Sequence, residues 1–237
     1  MESQHIVSSY DEELRKLDNM VLELGGLAEA QLADAITCLS RRDVEMAEQV
    51  VARDASLDAI ENEIHTFTIR LLALRQPLAR DLRIIVAALK ISSYLERIGD
   101  LAKNIAKRTI AVARGPDVGD AARSIARMSS LVQVMIKNVL DAYIQRDKER
   151  AEDVRQSDHD VDQVYNSVFR ELLTYMMEDP RNITASTHLL FMAKNVERMG
   201  DHVTGIAEQV HFMVAGELPQ EARPKGDNTS YSAADQA

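Results

Sequence analysis

The chain has 237 residues, 46% of them hydrophobic and 28% charged, enough for one large core or two small ones built by burial alone. A formal net charge of −10 opposes binding to nucleic acid or anionic lipid, and a single cysteine, Cys38, excludes an intramolecular disulfide or a thiolate metal cluster and points to a reducing compartment, the cytoplasm. No apolar run approaches the roughly 20 residues that cross a bilayer, and the opening MESQHIVSSYDEEL has neither the basic start nor the apolar core of an export signal.

Gly and Pro are scarce, Trp is absent, and Ala, Leu, Glu, Arg and Met abound, which is helical composition. The first helix runs to a break at Arg41-Arg42-Asp43; its Gly25-Gly26 pair reads as a kink or close crossing, since no strand precedes it to make a phosphate loop. The second runs to Arg75-Gln76-Pro77 and carries an apolar seam of Leu57, Ile60, Ile64, Phe67, Leu71 and Leu74 in steps of three and four. The third repeats that spacing with Ala88, Ile91, Leu95, Ile98, Ala102 and Ile105 before a break at Arg114-Gly115-Pro116-Asp117. The fourth ends near Arg146-Asp147, the fifth at Glu178-Asp179-Pro180 and the sixth at Gly216, so six helices of about 30 residues are expected. Asp43, Asp117 and Asp147 stand where N-caps belong, and Met176, Met177, Met192 and Met199 read as core fillers at helical spacing. Residues 216–237 lose all periodicity and are expected to be a disordered tail.

Two pentapeptides, ERIGD at 96–100 and ERMGD at 197–201, disclose a duplication. A shift of 101 superposes Glu96, Arg97, Gly99 and Asp100 on Glu197, Arg198, Gly200 and Asp201. Upstream, a shift of 104 superposes Asp43 on Asp147, Asp54 on Asp158, Asp58 on Asp162 and Asn62 on Asn166. The fold class is therefore all-α, a tandem repeat of two antiparallel three-helix bundles over residues 5–113 and 117–215.

The repeated acids are the candidate site. Glu96 and Asp100, like Glu197 and Asp201, lie only about 40° apart on a helix, at the edge of the buried face or outside it, where like charges repel unless a cation intervenes. Asp54, Asp58, Glu61 and His65 form a second stripe on helix two; helix five repeats it with Asp158 and Asp162, then Tyr165 and Phe169. Across an antiparallel hairpin, level residues share a constant sum, which sets Asp54 beside Asp100 and Asp58 beside Glu96 about Pro77, and Asp158 beside Asp201 and Asp162 beside Glu197 about Pro180. Such level carboxylates suit Mg, Ca or Mn, and Fe or Zn where no thiolate competes. Lys103 and Lys107 continue the first stripe and offer it internal neutralisation, whereas Thr204 and Glu208 continue the second, so the second half is expected to bind metal more tightly if charge decides, although His65 and Glu61 give the first half ligands that Tyr165 and Phe169 cannot supply. An acidic row is also what a solvated helix face looks like, and it is the duplication and the level pairing that favour metal. His65, Asn166 and Glu208 are secondary candidates; His202 is turned about 100° from Asp201, and His188 and His211 read as packing or surface residues. Gly99 and Gly200 are expected to admit a close neighbour.

The segments LLALRQPLARDLR, LERIGDLAKNIAKR, LLTYMMEDPRNI and VERMGDHVTGIAEQV, in that order over essentially residues 5 to 215, resemble the PhoU family of phosphate-uptake regulators. The resemblance implies two symmetric three-helix bundles, a cytoplasmic and often dimeric protein, and surface motifs that hold multinuclear iron or zinc clusters. Carried over, these are Glu96 with Asp100 and Glu197 with Asp201, faced by Asp54, Asp58 and Glu61 and by Asp158 and Asp162; His65 and Asn166 stand where relatives can carry acids. It implies no catalysis, but negative regulation of phosphate uptake and of the starvation response, linking the ATPase subunit of a phosphate ABC transporter to a membrane sensor histidine kinase. Membrane contact would come only through those partners.

Two rival readings remain. A carboxylate-bridged di-metal oxidase needs Glu-x-x-His on two inward helices, and that spacing occurs only at Glu208 to His211 and at Glu2 to His5 near the terminus. A helical adaptor would use the acidic rows to dock basic partner surfaces without metal.

Overall fold

The computed structural model describes residues 2–115 and 120–220, with side chains from Tyr10 onward. Its helices are α1 (Glu2–Arg41), α2 (Val44–Arg75), α3 (Ala79–Val112), α4 (Ala121–Gln145), α5 (Lys148–Glu178) and α6 (Ile183–Ala215), with a 3-10 turn at Pro180–Asn182 before α6.

Local chemistry explains the breaks. Asp43 accepts from the Met46 N–H at 2.9 Å and Asp147 from the Arg150 N–H at 3.0 Å, the expected N-caps of α2 and α5. Asp117, expected to cap α4, lies outside the described residues, as do residues 221–237 of the expected tail; residues 216–220 are not helical. Gln76 and Arg146 close α2 and α4 in the left-handed region, and Gly216 closes α6 there at φ 88°, where an L side chain is disfavoured.

Each half is an antiparallel three-helix bundle, as expected. α2 packs on α1 and α3, α5 packs on α4 and α6, and the halves meet through α3 on α6 and α1 on α4. Both joints are antiparallel. On α3 and α6, Tyr94 lies against Gly205 while Arg108 stacks on Phe191 at 4.3 Å. On α1 and α4, Gly25 lies against Leu140 while Asp18 reaches Tyr143 and Arg146. The buried side chains of both halves, from Leu17 and Ile91 to Val132 and Val196, form one continuous core.

Gly25 is the close crossing read in the sequence, for a Cβ there would meet Leu140 Cδ1 at 2.6 Å. Gly205 makes the same provision at the other joint, where a Cβ would meet the Tyr94 ring at 2.7, 2.9 and 3.1 Å. A rigid ring cannot evade a methyl group by turning one terminal bond, so α3 and α6 would have to separate. Gly205→Ala is therefore expected to destabilise by about 1 kcal/mol net, overpacking outweighing the better helix propensity of Ala. Chemical denaturation measures this, and a gain in stability would contradict the packing.

Two apolar residues depart from their expected burial. Leu74 is 66% exposed and Met177 78% exposed, because each sits in the last turn of an outer helix at a hairpin tip. There Arg75 turns to α1 and pairs with Glu13 at 2.7 Å, leaving Leu74 facing out. Met192 and Met199 are buried as expected.

Candidate functional site

In the first half the level pairing is realised. Asp54, buried on α2, and Asp100, half-buried on α3, are joined by the Lys103 ammonium, which bonds Asp54 Oδ2 and lies 2.5 Å from Asp100 Oδ1. The other Asp54 oxygen accepts from Gln31 Nε2 of α1 at 3.0 Å, and the same amide nitrogen donates to the Gly99 carbonyl at 3.1 Å. Gly99 lets Leu57 of α2 press against the α3 backbone, so the carboxylates meet where the helices run closest.

The electrostatics follow from this crowding. Burial, with the Asp100 charge next, pushes Glu96 up to about 7. Burial acts to raise Asp100 too, but its bond and charge contact with Lys103 hold it below the ordinary carboxylate value. Burial disfavours the Lys103 charge, yet Asp100 and Asp54 together hold its pKa above normal. Asp58 enters through its repulsion of Glu96; Asp58 and His65 are exposed and Glu61 is half-buried. The stripe thus turns away from α3 below Asp54, because steps of four, three and four only approximate the helical period.

A raised acid pKa contributes stability at low pH that is lost as pH climbs through its folded value, whereas lowered Asp100 contributes above its unfolded value and loses that on acidification. Between about pH 5 and 8 the Glu96 effect dominates. Glu96→Gln, which mimics the protonated form, is expected to flatten the decline of the melting temperature over that range and to be the more stable protein at the alkaline end. Thermal melts in chelator-treated buffers check this; parallel curves for the two proteins would contradict it.

In the second half Asp158, Asp162 and Glu197 are 2%, 4% and 6% exposed, deeper than an edge position implies, while Asp201 is half-buried. Gly200 makes room as expected: a Cβ there would stand 2.6 Å from Asp158 Oδ1. Internal cations are present here as well, against the reading that only the first half has them. Lys194 Nζ lies 2.9 Å from Glu197 Oε1 and over the Tyr165 ring, and buried Arg155 pairs with Glu152 at 2.6 Å. They sit three residues ahead of Glu197 and Asp158, where the downstream continuation of the stripes does not reveal them. Glu208 stands 3.9 Å from Arg155, and Asn166 is half-buried on α5. His202 packs on the Tyr94 ring at 5.9 Å; burial and Arg198 lower its pKa.

Among the described residues, no three His, Cys, Asp or Glu side chains are grouped to hold a metal ion. The two halves differ in how they suit one. In the first, an ammonium already lies between the carboxylates of α2 and α3. In the second, Asp158 and Asp162 on α5 and Glu197 on α6 are buried and Asp201 is half-buried, with the Lys194 ammonium 2.9 Å from Glu197.

Sequence reading missed Gln31, Arg155 and Lys194. Gln31 had a signal: it interrupts the apolar stripe of Leu24, Ala28, Leu32 and Ala35, and a polar residue in a buried stripe needs a buried partner.

Fold and acidic faces together define a duplicated helical-bundle protein with an acidic row on the facing helices of each half. The model of the PhoU domain matches residues 21–109 and again 125–210, so the chain belongs to the PhoU family. It is 53% identical over 225 residues to the phosphate-specific transport system accessory protein PhoU homolog of Caulobacter vibrioides (strain NA1000 / CB15N), covering 95% of this chain and 98% of that protein. It is 49% identical over 230 residues to the homolog of Rhizobium meliloti (strain 1021), covering 97% of each. The crystal structure of PhoU from Pseudomonas aeruginosa superposes with a TM-score of 0.84 at 38% identity, over 88% of this chain and 100% of that one. The phosphate transport system regulatory protein PhoU from Streptococcus pneumoniae superposes with a TM-score of 0.82 at 29% identity, over 90% of this chain and 100% of that one.

Proposed function

We propose that this protein is a cytoplasmic negative regulator of phosphate uptake and of phosphate-starvation signalling. It acts by protein contact, coupling the ATPase subunit of a phosphate ABC transporter to a phosphate-sensor histidine kinase, and has no catalytic activity of its own. The observation that carries this reading is near full-length similarity to proteins named as phosphate-specific transport system accessory proteins, with both ERIGD and ERMGD inside the matched regions. A homodimer is the expected assembly. Among the described residues, no helix is long and apolar enough to cross a membrane, in keeping with membrane contact through partners.

A metal belongs to this reading in the second half, where Asp158, Asp162, Glu197 and Asp201 are the proposed ligands for iron or zinc, with manganese or magnesium as alternatives. An ion bound there would tie α5 to α6 through carboxylate oxygens. The metal-independent adaptor is the second reading, favoured by Lys103, Lys194 and Arg155, which already lie among the acids.

The test is a chromosomal deletion followed by complementation. At high phosphate the deletion strain is expected to switch on a starvation-regulated reporter, and wild type to silence it. A reporter that stays quiet in the deletion strain would overturn the regulatory reading. Glu197→Gln/Asp201→Asn separates the two forms: restored silencing and ATPase binding by metal-free variant protein would establish the adaptor.

A further inference from the structure

We propose that the cleft where α3 begins and α4 and α6 end is a binding site for a phosphoryl group, held by Arg80 and Arg83. The cleft encloses about 360 Å³ and is lined by Arg80, Ile84, Arg146, Met213 and Val214, with no acid among them. The inference stands apart from the regulatory reading, because it rests on these side chains alone.

Arg80 and Arg83 lie three residues apart, on one face of α3. Arg80 is exposed at the rim, and Arg83 is half-buried with its guanidinium against Gly216, where a Cβ would stand 3.2 Å from Nη1. The Arg83 Nε–H is buried and has no acceptor among the described residues. Nor does either guanidinium form an ion pair among them, although Asp81 lies between the two in the chain and Glu217 follows Gly216.

Both positions favour an anion. Arg80 sits in the first turn of α3, where the helix dipole disfavours a cation, and the N-cap, Leu78, offers no side-chain acceptor to the first-turn N–H groups. Arg83 gains from the C-terminal carbonyls of α6, yet its buried Nε–H stays unmatched, a cost that an incoming oxygen would remove. Arg146 is the fixed wall, its Nη groups bonded to Asp18, the Tyr143 carbonyl and Met213 Sδ at 2.7 to 3.0 Å. Asp18 answers its charge, so it shapes the cleft while Arg80 and Arg83 supply the unbalanced charge.

A phosphoryl group suits this arrangement better than a carboxylate. Two guanidinium forks from successive turns present donors from more than one direction, which three terminal oxygens can accept and two oxygens in one plane cannot. Ile84, Met213 and Val214 make the remaining wall apolar, and the volume leaves room beyond a bare phosphate for an organic body.

The experiment is isothermal titration calorimetry on chelator-treated full-length protein at fixed ionic strength, with inorganic phosphate, adenosine 5′-monophosphate and adenosine as probes. The proteins are wild type, Arg80→Gln, Arg83→Gln and Arg170→Gln, the last an exposed α5 arginine that makes the same charge change elsewhere. Circular dichroism verifies folding. Wild type and Arg170→Gln are expected to bind the two phosphoryl probes and not adenosine. Arg80→Gln and Arg83→Gln are each expected to weaken that binding by about tenfold or more. Tighter binding of the nucleotide than of phosphate would assign the group to an organic ligand, and the reverse to the free ion; either upholds the site. Absence of saturable binding for both phosphoryl probes would overturn the proposal. So would affinity that Arg80→Gln leaves unchanged, and this arm decides the matter even if Arg83→Gln does not fold. A lower melting temperature in Arg83→Gln with unaltered affinity would also overturn it, leaving Arg83 as a partner for the end of α6.

Discussion

Replacing Tyr143 with alanine is expected to lower the unfolding free energy by about 3–5 kcal/mol and the melting temperature by roughly 10 °C. Tyr143 is fully buried at the joint between α1 and α4, and its hydroxyl donates to Asp18 Oδ1 at 2.6 Å. Arg146 closes the group, reaching Asp18 at 2.7 and 2.9 Å and lying over the Tyr143 ring at 4.8 Å. Burial, reinforced by the Asp18 charge, pushes the phenol pKa up, so the hydroxyl remains a donor throughout the working range. Alanine would open a cavity the size of an aromatic ring and remove a donor from Asp18. Phenylalanine keeps the ring and is expected to lose only about 1–2 kcal/mol. Urea denaturation at fixed protein concentration measures both, and equal losses would mean that ring packing at this joint contributes little.

Asp54→Ala is the second large effect, with an expected loss of about 2–3 kcal/mol. The substitution takes a partner from Gln31 and from Lys103 at once, in a place where the ammonium is only partly hydrated. Asp100 still holds Lys103, which keeps the loss below that of an orphaned buried ion. Asp58, one turn along the same helix and exposed, is the control: Asp58→Ala is expected to change stability by no more than about 0.5 kcal/mol. Similar losses at the two positions would contradict the burial difference that separates them.

These paired residues also show what can be read before folding. The stripe containing Asp54 and Asp58 is evident in the sequence, as is its level pairing with Glu96 and Asp100, because both follow from helical geometry and the position of Pro77. That Asp54 is inside and Asp58 outside is not evident, since about 40° on a helix decides it and the direction of the neighbouring helix sets the boundary. Gln31 shows the same limit: its place in an apolar stripe announces a buried polar partner, but which carboxylate receives it depends on where α1 settles against α2 and α3.

By itself the sequence determined the six helices, the caps at Asp43 and Asp147, the duplication and the acidic rows, because composition, periodicity and capping act within a turn or two of chain. Only the tertiary structure decided that the two bundles share one core, that Asp158, Asp162 and Glu197 are buried, that Leu74 and Met177 are exposed, and that Lys194 and Arg155 lie among the acids. The shared core depends on how α3 seats on α6 at Gly205 and α1 on α4 at Gly25, and the burial of the acids on how α5 seats on α6 at Gly200. Shape fit between distant surfaces sets these joints, and no local spacing encodes it.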